Sequence, residues 1–184
     1  MPNTTHSKKR DTQHNGFTLI ELVIVIVVLG ILAATAIPKF INLRHDSRAA
    51  TLESIKGTME SALQLVRARA QMENQTSGNG EIEINGVKVP LYNGYPSVDG
   101  RDTFPELNAQ VKAWIEIDSV DRNTAFGDRN AANFFTDRAR RYNQIFIFFM
   151  TDYDSKGVNF QCQIRYENSA LVAAPTIRVL TDSC

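Results

Sequence analysis

The sequence predicts an α+β fold: one long N-terminal α-helix packed on a small antiparallel β-sheet head domain that is closed by a C-terminal disulfide. Three observations carry this. An uncharged apolar run near the N-terminus passes into an amphipathic stretch of helical period. Most of the chain beyond residue 80 reads as short strands separated by turns. The two cysteines, Cys162 and Cys184, both lie near the C-terminus. A length of 184 residues fits one modest domain behind that helix.

The first element is membrane-directed. Residues 22–37 read LVIVIVVLGILAATAI without a charge. With residues 17–21 included, the run spans ~31 Å at ~1.5 Å per residue, which matches a hydrocarbon core of ~30 Å. Lys8, Lys9 and Arg10 precede it against a single Asp11. This asymmetry predicts a cytoplasmic N-terminus and an exported C-terminal part. Removing those three cations and one anion from the 20 basic and 20 acidic residues leaves 17 and 19. The exported part is therefore mildly acidic, and its charge gives no basis for a nucleic-acid partner. An even pair of cysteines behind a membrane segment points to one disulfide formed outside the cytoplasm, with two reduced thiols as the alternative.

Within that element Glu21 stands out. A charge at membrane depth costs ~2.5–3.5 kcal/mol on insertion scales, so it asks for a partner. The next cation after it, Lys39, lies 18 residues on. Cutting the chain between Gly16 and Phe17 would create an α-amine at the right depth, on the same or a neighbouring subunit. Cleavage would then supply the partner that Glu21 lacks. Two other readings stay open: an ordinary signal-peptide cut near Ala33, Ala34 or Ala36, and a Glu21 that simply sits in interfacial water.

The segment Gly16-Phe17-Thr18-Leu19-Ile20-Glu21-Leu22 resembles the processing motif of type IV prepilins and the related pseudopilins. The resemblance implies that a prepilin peptidase and N-methyltransferase cuts after Gly16 and methylates Phe17. It implies that Glu21 sets subunit register, that Pro38 marks a helix bend, and that the chain polymerises with copies of itself through an inner-membrane assembly machinery. A leader of 16 residues is long for pilins that begin with Phe, which leaves the subclass open. The implied organisation is a leader over 1–16, a transmembrane and filament-core helix over 17–38, its amphipathic half over 39–74, and a β-rich head over 75–184.

The second half of the helix follows from periodicity. Leu52, Ile55, Met59, Ala62, Leu63, Val66 and Ala70 recur at intervals of three and four, a single apolar stripe. Pro38 cannot donate to the Ala34 carbonyl, so a kink or local loss of helix is expected there. The helix is expected to stop near Asn74, before Ser77-Gly78-Asn79-Gly80. Residues 81–89 alternate on each side of Asn85-Gly86, a two-residue hairpin signal. Asn93-Gly94-Tyr95-Pro96 and Asp99-Gly100 read as an irregular loop. Thr103-Phe104-Pro105-Glu106 has capping-box spacing with an early proline, so a helix should start there and run to about Ile117. Residues 119–140 read as loop with at most one short helix, and residues 144–150 as a buried strand.

At the C-terminus, residues 158–167 and 176–181 read as strands. Antiparallel pairing about residue 173 would place Cys162 opposite Cys184, within disulfide reach. A C-terminal Cys pair also resembles that of type IV pilins, and pseudopilins usually lack it. Ala36-Ile37-Pro38-Lys39-Phe40-Ile41-Asn42-Leu43, the Gly94-Tyr95-Pro96 loop and Cys162-x-x-x-Tyr166 resemble, more narrowly, pilins of the mannose-sensitive haemagglutinin type. That likeness implies an extracellular adhesive filament with surface or host glycans as its target.

No catalytic or cofactor constellation emerges. His6 and His14 lie in the leader, and His45 reads as a solvated residue beside Asp46. Neither cysteine has zinc-finger spacing. Asp152-Tyr153-Asp154-Ser155-Lys156-Gly157 begins like a calcium loop but has Lys156 and Gln163 where ligands belong, so it reads as a turn. Arg138, Arg140 and Arg141 read as a solvated basic face. The expected role is structural, with no enzyme activity, metal or cofactor. A pseudopilin, a minor pilin and a single-pass protein with a periplasmic binding domain are the rival readings.

Overall fold

A computed structural model describes residues 17–98, 102–170 and 174–184. It divides into two compact units, Met1–Leu43 and Arg44–Cys184.

In the first unit the described residues form the N-terminal part of helix α1 (Leu19–Met72). Every described apolar side chain from Phe17 to Leu43 is exposed in the single chain. α1 is long and apolar enough to cross a membrane. The backbone is helical on both sides of Pro38 and through it, so the expected loss of helix does not occur.

The second unit builds a core around the predicted stripe. Leu52, Met59, Ala62, Leu63, Val66 and Ala70 are buried, with Ile55 packed against them. α1 ends where Asn74 adopts a left-handed conformation (φ 55°), a backbone state that Asn tolerates. The hairpin β1 (Asn79–Ile84) and β2 (Val87–Tyr92) turns through Asn85-Gly86, both with positive φ. The stretch expected to be irregular loop holds a second turn of the same kind. Asn93 and Gly94, at φ 53° and 81°, join β2 to β3 (Tyr95–Pro96). The same Asn-Gly logic applies to both turns, but Tyr95–Pro96 is too short to show alternation.

Helix α2 (Phe104–Trp114) starts with the expected reciprocal capping box between Thr103 and Glu106. It stops three residues before Ile117, and Ile115 is extended. Residues 119–140 contain more structure than expected: strand β4 (Ser119–Asp121), helix α3 (Arg122–Gly127) and strand β5 (Phe134–Ala139). A 3-10 turn (Arg140–Tyr142), β6 (Gln144–Phe149), a second 3-10 segment (Met150–Ser155), β7 (Gln163–Glu167) and β8 (Thr176–Leu180) complete the chain.

The main sheet has the order β4-β5-β6-β7-β8. It is antiparallel except for β4, which pairs parallel with β5. β6 explains its own composition. Ile145 and Ile147 join the cluster around α1, whereas Phe146 and Phe148 join a second cluster with Ala125, Phe135, Met150 and Tyr153. A strand covered on both faces reads as a continuous apolar run.

Candidate functional site

The N-terminal site begins with Phe17 and Thr18, which precede the first helical residue, Leu19. Gly16 and the rest of the expected leader lie outside the described residues. Glu21 is not left without a partner. Its Oε2 accepts from the Thr18 backbone N–H and from the Thr18 hydroxyl, each at 2.8 Å. The Glu21 N–H in turn donates to Thr18 Oγ1 at 3.3 Å. This is the reciprocal arrangement of a capping box. The negative charge also lies in the first helical turn, where the helix dipole favours it. The Thr-x-x-Glu spacing ahead of an apolar run carries this signal in the sequence.

The box places the Glu21 carboxylate against residue 18, one residue from the nitrogen that cleavage after Gly16 would convert into an amine. Beyond it the segment is uncharged and almost wholly apolar as far as Ile37, and its Thr35 hydroxyl donates to the Leu32 carbonyl at 2.9 Å. Such a face suits lipid or the equivalent faces of other helices.

The second site is the C-terminus. Cys162 and Cys184 are bonded, with Cα atoms 4.8 Å apart. The pairing is as expected, but the strand register is not. Gln163 faces Leu180 and Glu167 faces Thr176, which centres the pair between residues 171 and 172 rather than on 173. In that register Cys162 has no opposed cysteine. A terminal turn brings Cys184 back instead, with Cys184 N–H donating to the Thr181 carbonyl (3.0 Å) and Ser183 N–H to Gln161 (2.9 Å). The strand also starts five residues later than expected. Gln163 is fully buried, and its Nε2 donates to the carbonyls of Gly157, Val158 and Phe160, which holds residues 157–160 in a loop.

Two α1 residues meet this C-terminal structure. His45 Nε2 lies 3.0 Å from the Thr181 carbonyl, so this histidine is engaged rather than merely solvated. Arg48 Nη2 donates to Asp152 and sits 3.4 Å from Cys162 Sγ, and its guanidinium lies 4.3 Å from the Phe149 ring centre. The Arg48 and Asp152 side chains are only 15% and 12% exposed. Nothing in the sequence pairs these two residues, which are 104 positions apart. In the basic cluster Arg140 and Arg141 are exposed as expected, whereas Arg138 is engaged. Arg138 donates to the Asp102 carbonyl and lies 5.1 Å from the Phe104 ring centre. Asp152 belongs to the second 3-10 segment, and its partner is Arg48.

Residues 12–37 match the family model of the prokaryotic N-terminal methylation motif. The chain is 41% identical over 56 residues to the type IV narrow pilus major component PilA5 of Thermus thermophilus, covering 30% of this chain and 48% of that protein. It is 47% identical over 49 residues to the type IV major fimbrial protein FimA of Dichelobacter nodosus, covering 27% and 31%. A 36-residue stretch is 56% identical to the type IV major pilin protein PilA of Myxococcus xanthus, covering 20% and 16%. The chain thus spans less than half the length of each of these relatives. No solved structure is a significant match. In its N-terminal segment, the chain is similar to type IV major pilins.

Proposed function

We propose that the chain is the precursor of a structural subunit of a type IV pilus. The observation that carries this is the coincidence, in one segment, of the methylation motif with an apolar helix whose lone carboxylate is held at its N-terminal turn. In this reading residues 1–16 are a leader removed between Gly16 and Phe17, and Phe17 becomes the methylated N-terminus. Residues 17–38 hold the subunit in the inner membrane and later form the filament core. Residues 39–74 carry the head, residues 75–184.

Polymerisation exchanges lipid around residues 22–37 for identical helices. The Glu21 carboxylate then meets a neighbour's Phe17 amine and sets the axial register. The basic leader favours a cytoplasmic N-terminus, so the head is extracytoplasmic before assembly and extracellular after it. The C-terminal disulfide and the likeness to major pilins support a pilin over a pseudopilin. The mannose-sensitive haemagglutinin subtype, with adhesion to surface glycans, rests on the stretches around Pro38, Tyr95 and Cys162 quoted above.

The test is the mass and N-terminal residue of the mature protein, taken from filaments sheared from cells. N-methyl-phenylalanine at position 17 is the expected result. An intact leader, or a cut beyond Ala33, overturns the reading.

A further inference from the structure

The first helical turns of the second unit are held differently from the rest of their helix. Leu52 is the first fully buried residue of α1, and residues 44–51 are exposed or half-buried. On one side Ser47, Ala50 and Thr51 border an open cavity of about 500 Å³, whose far wall is Glu116, Ile117, Asp118 and Phe134. That side of the segment is not packed. Among the described residues, the hydrogen bonds and ion pairs that residues 44–51 make outside their own helix come from His45 and Arg48.

His45 touches the C-terminal turn itself, whereas Arg48 touches the sulfur to which that turn is bonded. His45 meets the Thr181 carbonyl, and Arg48 meets Cys162 Sγ together with Asp152. Thr181 begins the terminal turn that ends at Cys184. Among the described residues, that turn is tied to the stretch just before β7 by the Cys162–Cys184 bond and by the backbone bond from Ser183 to Gln161, with Cys184 packed against the core. A chain end with so few ties frays once its covalent tie is cut. The disulfide thus fixes the group that His45 meets and places a sulfur beside Arg48.

We propose that the C-terminal turn is a redox-set clasp for helix residues 44–51. With the bond closed, the turn holds this segment against the β-sheet side of its own unit. Reduction by a dithiol breaks the S–S bond, and each sulfur takes a proton while the dithiol closes to its own disulfide. Residues 181–184 then leave the sheet, and the helix segment opens locally while the core stripe from Met59 to Ala70 stays packed. The device is a property of the fold and does not depend on cleavage or polymerisation.

The experiment is hydrogen exchange by mass spectrometry on the full chain in detergent micelles. It compares the disulfide-closed form, the form reduced with dithiothreitol, and the His45→Ala and Arg48→Gln variants with the bond closed. Amides of residues 45–51 should exchange about tenfold faster after reduction, as local opening allows, while amides of residues 59–70 stay unchanged. Each variant should reproduce part of that local gain without reduction. Unchanged protection of residues 45–51 on reduction overturns the proposal. So does loss of protection throughout the unit, which would make the bond a global staple. Variants that leave these amides as protected as in the parent, while reduction frees them, overturn the part assigned to His45 and Arg48.

Discussion

The Tyr166 hydroxyl donates to the Pro96 carbonyl at 2.7 Å and joins the five-stranded sheet to the three-stranded one. Tyr166 has no exposed surface, and its ring lies 5.8 Å from that of Trp114. Burial, helped by Tyr95, pushes the phenol well above its ordinary value of 10.0. Below pH 10 both folded and unfolded chains carry the proton, so this group's contribution is fully present. Above pH 10 the unfolded chain ionises first, and stability falls as pH rises towards the folded value. Tyr166→Phe should therefore blunt the alkaline loss of stability, as read from urea midpoints between pH 8 and 11. At neutral pH it should cost only about 1 kcal/mol, because the hydrogen bond is lost but the Pro96 carbonyl keeps a second donor.

That second donor is Asn168, whose removal should cost more. Its Nδ2 reaches the carbonyls of Tyr92, Tyr95 and Pro96 at 3.0–3.2 Å. Its backbone N–H and carbonyl are both bonded to Asn143. Asn168→Ala deletes a buried donor shared by three carbonyls, so a loss of about 2–3 kcal/mol is expected. A loss no greater than that of Tyr166→Phe would show that the bridge between the sheets rests on packing instead.

The two Asn-Gly turns should respond unequally to substitution. Gly86 and Gly94 both have positive φ, which costs a residue with a Cβ about 1–2 kcal/mol. A Cβ on Gly86 meets open space, whereas on Gly94 it would lie 3.2 Å from Arg67 Nη1 and 3.3 Å from Thr76 Cα. Arg67 cannot easily yield, since it donates to the Asn93 carbonyl at 2.7 Å and lies over the Tyr95 ring. Gly94→Ala should thus lower the urea midpoint clearly more than Gly86→Ala. Equal effects would mean that backbone strain alone decides.

These cases separate what the sequence could convey from what it could not. The α1 stripe, the Asn85-Gly86 hairpin and the Thr103 capping box are local, each set by residues within a few positions of one another. Residues 119–140, which hold β4 and β5, read as loop because they are polar, with Gly127 and several Asp, Asn and Arg. Ser119 and Thr136 are in fact buried on Asn108 of α2, and Asp137 lies 3.5 Å from Arg122. Partners supplied from other elements make such strands look like loops. The C-terminal register failed for a similar reason. Gln163 organises the preceding loop through three carbonyls, so the strand begins later than its pattern does. At the N-terminus the reverse happened. Glu21 lacks a nearby cation in the sequence, yet its partner is the neutral Thr18 three residues away.

Two contributions of Glu21 can be separated by substitution, since it both caps the helix and carries charge. Thr18→Val deletes the hydroxyl bond but keeps the charge and the bond from the backbone N–H. Glu21→Gln keeps an acceptor for Thr18 but removes the charge, and Glu21→Ala removes both. If the carboxylate pairs with a neighbour's amine, Glu21→Gln and Glu21→Ala should both be cleaved, stay in the membrane and yield few filaments on shearing. Thr18→Val should then still polymerise, with reduced yield. If capping is what matters, the order reverses: Glu21→Gln assembles and Thr18→Val does not. Normal filaments from Glu21→Gln would therefore remove the charge-pairing argument while leaving the helix cap standing.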